Sequence, residues 1–282
     1  MSDRNPASIP GLPSRRTRVD FPDALQSPGE PTMQPPPIAL IVALAQERRA
    51  LRRCLSSVQG WRTEEGHGVA GRLSRDSILL IQAGIGCDRA RRALLTISRR
   101  FSIRGACSIG FAGGLADSLR AGDLVCPGVV IRDDGQAGRA FAVGPAHAAV
   151  VAALSVDRTP LVDGPLLSVD SPLRTTEAKR AAHSRTGAVG VDMEAAGVAE
   201  AAHSLGIPWL AIKAVVDTVD EPLPCFLSGW MTPQGNLQWR SLVSSLTLPS
   251  RRRVLRQLAL ASRKAGLALQ RGLKMALPAW SP

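Results

Sequence analysis

VDMEAAGVAEAAHSLGIPWLAIKAVVDTVD, running from Val191 to Asp220, decides how this chain folds. Glu194 to His203 is rich in alanine and free of proline, and Asp192 precedes it where a helix N-terminus favours negative charge. Leu205-Gly206-Ile207-Pro208 ends that helix, with glycine just past the last turn and proline following. Trp209 to Val216 is then a nearly continuous apolar run, the pattern of a strand covered on both faces. Asp217 stands at its carboxyl end, where open α/β sheets place their ligands. Two carboxylates, Glu194 and Asp217, are thereby aimed at one crevice.

Upstream, the same alternation of apolar strands and helices recurs. Ile38 to Leu44 reads as a buried strand, and Ala45-Gln46-Glu47 leads into a helix through about Ser56. Glu47 therefore occupies the same topological place on the first strand as Asp217 does on the last. Gly71 to Leu73 and Ser77 to Gln82 read as a hairpin or adjacent strands, followed by Ala83-Gly84-Ile85-Gly86 and an arginine-rich helix from Asp88 to Arg100. A glycine pair between strand and helix brings backbone N–H groups close to an anion or a sugar. Ala106 to Leu115 is a third strand running into Gly110, Gly113 and Gly114, a density that implies backbone pressed against a ligand or a neighbouring chain. A Gly122-Asp123 turn opens a strand to about Ile131, residues 133–148 read as loop, and Ala148 to Leu154 and Thr175 to Ser184 as helices. Strands at Pro165 to Val169 and Gly187 to Val191 complete this part of the chain.

The ends differ in character. Residues 1–37 are rich in Pro, Ser, Arg and Asp, lack periodicity and read as a disordered leader. Residues 38–248 read as one folded domain. From Pro249 to Pro282 there are eight Arg or Lys and no acid, so +8 of the net charge of +12 belongs to one terminal helix, packed on or extending from that domain. At about 100° per residue, Val254, Leu255, Leu258, Leu269 and Leu273 share one face and Arg256, Arg263, Arg271 and Lys274 the other, with Leu260 and Leu267 inside the basic face. That face is either a solvated exterior or a contact for an anionic membrane. Between Asp220 and this helix, Glu221 to Met231 is irregular and carries several large apolar side chains, and Trp239 and Leu242 follow.

Several classes are set aside by composition. No run of apolar residues is long enough to span a bilayer, and the N-terminus lacks the apolar stretch of a signal peptide, so a cytoplasmic location is expected. Five scattered cysteines, none in a Cys-x-x-Cys pair, argue for reduced thiols, and the four histidines share no metal-ligand spacing. A dinucleotide-dependent oxidoreductase would want the full six-position glycine fingerprint and an acid closing the next strand, and neither is present. A binding module for membrane or nucleic acid would explain the terminal helix alone and leave the strand-end carboxylates unused.

The strand-end Glu47, the run from Gly110 to Val125 and Val191-Asp192-Met193-Glu194-Ala195 with Asp217 together resemble the purine nucleoside phosphorylase and methylthioadenosine/adenosylhomocysteine nucleosidase superfamily. The resemblance covers residues 38–277 and implies an α/β three-layer sandwich, a mixed, twisted central sheet flanked by helices. Within the superfamily the chain is most similar to the hopanoid-associated phosphorylase group. The likeness rests on the short strand-to-glutamate opening, Pro222-Leu223-Pro224 after the acid and the basic, leucine-rich last helix.

That resemblance implies cleavage of the N-glycosidic bond of an adenine nucleoside, with adenosylhopane as substrate, adenine released and a ribosyl lipid retained. The alternative is a nucleosidase of small soluble nucleosides. By the family pattern Asp217 is the general acid at N7, its pKa raised by burial, and Glu47 positions or activates the nucleophile. Glu194 accepts from the ribose hydroxyls, Met193 packs on the sugar, and Gly84, Gly86 and Gly113 bring backbone to the substrate. Departures from the pattern are Ala83 before Gly-Ile-Gly where hydrolytic relatives have serine, Pro172-Leu173 where a base-stacking phenylalanine is expected, and Lys213 for an arginine. Arg48 is the candidate for phosphate by proximity, so water and inorganic phosphate both stand as nucleophiles. No cofactor, metal or nucleic acid is implied. A homo-oligomer and peripheral contact with the inner membrane face are the expected associations.

Overall fold

The computed structural model describes residues 35–63, 66–133, 138–156, 160–223, 232, 234–236, 249–280 and 282. The leader before Pro35 and most of the irregular apolar segment, with Phe226, Trp230, Trp239 and Leu242, lie outside the described residues.

The organising stretch forms three elements in the expected order: strand β11 (Gly190–Asp192), helix α5 (Ala195–Leu205) and strand β12 (Trp209–Asp217). Asp192 Oδ2 accepts from the Ala195 backbone N–H at 2.9 Å and caps α5. Gly206, in the left-handed region at φ 65°, closes it. β12 is buried along almost its whole length because β5 (Gly105–Gly114) pairs with it in parallel and helices cover both faces.

Around β5 the sheet holds twelve strands among the described residues. β1 (Ile38–Val42) and β4 (Asp76–Gln82) run parallel beside β5, and β2 (Ser56–Thr63) and β3 (Gly66–Leu73) extend that side as antiparallel neighbours. Beyond the far end of β5 lie β11, β10 (Leu166–Ser168), β7 (Val129–Arg132) and β8 (Arg139–Ala142). Because β11 is antiparallel to β5 while β10 is parallel to β11, the sheet is mixed. Short strands β6 (Leu124–Val125) and β9 (Leu161–Val162) branch from β12.

Two helical layers enclose this sheet. Helices α2 (Cys87–Ser98) and α5 pack together on one face, burying Ala90, Leu94, Ile97, Val198 and Ala202. Helices α1 (Ala45–Arg52), α3 (His147–Ser155) and α6 (Pro249–Ala279) cover the other with Leu51, Val150, Leu269 and Leu273. Helix α4 (Thr176–Thr186), capped by Thr175, shelters a smaller cluster at the end of the sheet that includes Leu167, Ala182 and Val191.

The structure departs from the sequence pattern at three places. β2 was absent from the sequence pattern because it is an edge strand of mostly polar residues, exposed over much of 56–60, with Trp61 buried. β8, inside the stretch read as loop, is also an edge, pairing with β7 and burying Phe141. The strand expected to run to Ile131 is broken around Pro127, which has no N–H to give a ladder, so β6 and β7 join different neighbours. Helix α6 occupies Pro249–Ala279 of the basic terminal stretch. Its second half docks through Ala265, Ala268, Leu269, Leu273 and Ala276, while Leu260 and Leu267 remain 52 % and 49 % exposed.

Candidate active site

The carboxyl ends of β1, β5 and β12 border a cavity of about 430 Å³ lined by Glu47, Asp192, Glu194 and Asp217 among mostly apolar walls. Met193 and Gly113 line it as well, and Ile85 reaches it from between Gly84 and Gly86. Glu47, Glu194, Met193, Gly113 and Asp217 are thus brought together from stretches far apart in the chain. Gly86 takes part through its N–H, which donates to Glu194 Oε1 at 3.0 Å. Its φ of 113° is a conformation for glycine.

Glu47 is 2 % exposed and held by backbone alone. Its Oε2 accepts from Ala43 N at 2.9 Å and Leu44 N at 2.8 Å, and its Oε1 from Phe111 N at 2.7 Å. The glycine run on β5 now has its reason. A Cβ at Gly110 would stand 2.7 Å from Glu47 Oε1, and one at Gly113 would stand 3.1 Å from Asp217 Oδ2. The pair of acids presses on this backbone, and Gly113 also borders the cavity.

Asp217 reaches the cavity through an irregularity in register between Val215 and Asp217, after which Asp217 pairs with Gly113. Consecutive strand residues normally face opposite sides of a sheet. The irregularity lets Val216 and Asp217 both line the cavity.

Behind these groups runs a buried polar chain. Lys213 Nζ lies 2.7 Å from Asp192 Oδ2 and donates to Ser108 Oγ at 2.9 Å, and Ser168 Oγ donates to Asp192 Oδ1 at 2.5 Å. Burial alone would lower the Lys213 pKa, but Asp192 and Glu194 more than offset it, so the ammonium is retained. The lysine that departs from the family pattern therefore keeps a cation beneath the carboxylates.

Burial pushes the Glu47 carboxyl upward against its three backbone donors and Lys213. Burial also raises the Glu194 carboxyl, to about 8, with Asp192 adding to the rise and Lys213 opposing it. Asp217 is also raised by burial, with Lys179 pulling the other way.

A carboxyl with a raised folded-state pKa stabilises the fold below its unfolded value, and that contribution is lost as pH rises through the folded value. For Glu194 the window runs from 4.5, the ordinary value, to about 8. Glu194→Gln should therefore match the wild type in thermal stability in acid and become progressively more stable than it toward pH 8, as read by calorimetry. A gap between the two proteins that does not change with pH would contradict this.

The largest omission from the sequence reading is Lys179. It is 0 % exposed, and its Nζ is hydrogen-bonded to Asp217 Oδ2. On the wheel of α4 it shares the inward stripe with Ala182, three residues on, the signal that would have exposed it. Arg48 is engaged elsewhere. Its Nε donates to Gln82 Oε1 at 2.9 Å, and Gln82 Nε2 donates to Gln234 O and Asn236 Oδ1, docking that turn on the sheet. Pro172 and Leu173 line the cavity in place of an aromatic ring, beside Phe111 and Val169. The described cysteines are free thiols, and burial pushes Cys87 and Cys126 up to about 12, which leaves them unreactive.

Known proteins are similar to this chain in sequence and fold. A 5'-methylthioadenosine/S-adenosylhomocysteine nucleosidase of Shewanella denitrificans is 22 % identical over 226 residues, covering 74 % of this chain and 98 % of that protein. The crystal structure of 5'-methylthioadenosine/S-adenosylhomocysteine nucleosidase from Neisseria meningitidis, in complex with methylthio-immucillin-A, superposes with a TM-score of 0.69 at 21 % identity, over 86 % of this chain and 99 % of that one. Futalosine hydrolase of Helicobacter pylori superposes with a TM-score of 0.67 at 15 % identity, over 86 % and 97 %. These likenesses show the fold. A family profile extends through the described site, from β1 past Asp217, and leaves α6 outside: residues 37–244 match the phosphorylase superfamily, to which this chain belongs.

Proposed function

We propose that this protein is an enzyme that cleaves the N-glycosidic bond of an adenine nucleoside by hydrolysis, and that the nucleoside carries a long apolar group at its 5′ position, adenosylhopane being the example implied by the sequence resemblance. The observation that carries the proposal is that Glu47 and Asp217, two buried carboxyls with raised pKa values, face one cavity that also holds Glu194. The cavity is within the ~300–1,000 Å³ range of small-molecule sites and accommodates a nucleoside. Similarity to nucleosidases and a hydrolase supports the same chemistry.

In this reading a protonated Asp217 gives its proton to N7 as the bond to the base breaks, so adenine leaves neutral. Positive charge develops on the ribose, where the Glu194 carboxyl receives hydrogen bonds from the hydroxyls. Glu47 accepts a proton from the attacking water as the new C–O bond forms. One proton has left Asp217 and one has reached Glu47, and exchange with solvent restores both. No cofactor enters this balance.

Water is favoured over phosphate on electrostatic grounds. Lys213, whose charge acts on Glu47, is committed to Asp192 and Ser108, and Arg48 is committed to Gln82. A phosphate dianion would approach four carboxyls in the cavity wall, with Arg174 the one described cation there left to receive it. The apolar substituent is supported by Leu44, Leu173 and Leu223 in the cavity wall.

Contact with an anionic bilayer is supported by one stripe of α6. Arg253, Arg256, Leu260, Arg263, Leu267, Arg271 and Lys274 are all exposed and recur every three or four residues, which sets two leucines among five cations. Among the described residues no helix is long and apolar enough to cross a membrane.

The test is adenine release from adenosine, methylthioadenosine and adenosylhopane, each with and without inorganic phosphate. Release independent of phosphate and fastest with adenosylhopane is expected. A phosphate requirement would overturn hydrolysis, preference for methylthioadenosine would overturn the apolar substituent, and no release from any of the three would overturn the reaction.

A further inference from the structure

Helix α4 delivers its only buried charged side chain to the catalytic strand. Lys179 Nζ makes three hydrogen bonds: to Asp217 Oδ2, to Thr218 O at 2.6 Å and to Glu221 O at 2.9 Å. An ammonium has three donors, and here all three are used. With no solvent exposure, Lys179 acts on this corner alone.

The carbonyls it binds belong to the turn that follows β12. Thr218 N donates to Glu221 Oε2 at 2.9 Å, and Leu223 N donates to Arg174 O at 2.8 Å just ahead of α4. The same turn leads to Leu223 in the cavity wall. Lys179 therefore ties three things together: the acid, the turn behind it and the point from which the chain leaves the site.

We infer that Lys179 is a positioning residue that sets the acid strength of Asp217 and holds the post-β12 turn in register with the cavity. The inference deepens the proposed reaction and rests on Asp217 being its acid. A general acid must carry its proton into the complex and then release it readily. Burial favours the first requirement, and a fixed positive charge favours the second by stabilising the carboxylate that proton transfer leaves behind.

The other charged groups around Asp217 act in the opposite sense or from further away. The Glu221 carboxylate raises its pKa, whereas Lys179 both by charge and by hydrogen bond lowers it. Across the cavity lie Glu47, Asp192 and Glu194, and Arg174 stands in its wall. Lys179 is the cation that touches the acid. Removing its charge leaves burial and carboxylates, all of which hold the proton on Asp217 more tightly.

The experiment is a pH profile of adenine release for the wild type, Lys179→Met, Lys179→Gln and Lys179→Arg. It is paired with a carbon-13 NMR titration of the Asp217 carboxyl in each ligand-free protein. Activity that needs protonated Asp217 falls as pH rises through its pKa. Lys179→Met should move that alkaline limb, and the NMR titration with it, upward by about 1–3 pH units, while lowering the rate on the acid plateau. Lys179→Arg should leave the limb in place, because the charge remains, and lower the rate, because a planar fork does not match three convergent acceptors.

Lys179→Gln serves if the methionine variant does not fold, since its amide can still donate to the two carbonyls. If the neutral variants lose activity or stability while both the limb and the carboxyl titration stay where they are, Lys179 is a structural residue and the inference is overturned. If the wild type releases no adenine, the proposed reaction fails, and the NMR titration still decides whether Lys179 governs Asp217.

Discussion

Asp217→Asn lowers the rate of adenine release by about 10²–10⁴-fold, the usual worth of a positioned general acid, with little change in KM. The amide has the shape of the carboxyl but no proton to give to N7 at a useful pKa. It also removes the counter-charge of Lys179, which has no solvent to turn to. Breaking a buried pair by deleting one partner costs about 3–5 kcal/mol, so the variant should unfold at markedly lower urea. The two losses are separable. Lys179→Met combined with Asp217→Asn removes both charges and should recover much of the stability while remaining as inactive as the single variant. Recovery of activity in the double variant, or an Asp217→Asn rate within tenfold of wild type, would remove Asp217 from the role of acid.

Glu47→Gln carries the second large effect. An amide accepts through one atom, whereas Glu47 accepts through both, from Ala43 and Leu44 on one oxygen and Phe111 on the other. Whichever way the glutamine turns, its NH₂ group faces at least one backbone N–H, and a buried donor is left without an acceptor. That costs about 1–3 kcal/mol of stability. The rate falls by a further factor of about 10²–10⁴, because the group that takes the proton from water has been neutralised. Glu194 and Asp217 are untouched, so KM stays within a few-fold of the wild type. Single-turnover adenine release measures the chemical step directly. A drop in stability with no drop in that rate would make Glu47 a structural clasp for the β1–α1 corner, and a different group would have to serve the nucleophile.

Much of this was readable from the amino-acid sequence because the signals are local. The Val191 to Asp220 stretch carries its own cap, its own stop and an apolar run too long for an edge strand, and it forms α5 and β12 as those features dictate. Placing Glu47 and Asp217 at strand carboxyl ends needed chain direction and the α/β rule, and both line the cavity. The docked half of α6 follows from the face shared by Leu269 and Leu273.

Other features are made by contacts between segments far apart, and no local pattern announces them. Gly110 and Gly113 were legible as crowded backbone, but the crowding groups are Glu47, more than sixty residues upstream, and Asp217, more than a hundred downstream. β2 and β8 are edge strands whose pairing, rather than hydrophobicity, makes them strands. Arg48 turned to Gln82 and the 234–236 turn, although proximity in sequence to Glu47 pointed it at the site. Lys179 is the clearest case. A lysine in an alanine-rich, amphipathic helix ordinarily faces water, where its charge is solvated at no cost. Its burial is stable here because Asp217 and two carbonyls from the turn after β12 replace that solvation. The sequence alone determined which residues carry the carboxylates and at which strand ends they stand. Tertiary structure alone decided the electrostatic setting in which they work, because a charge-compensating partner is selected by distance through space and leaves no period in the chain.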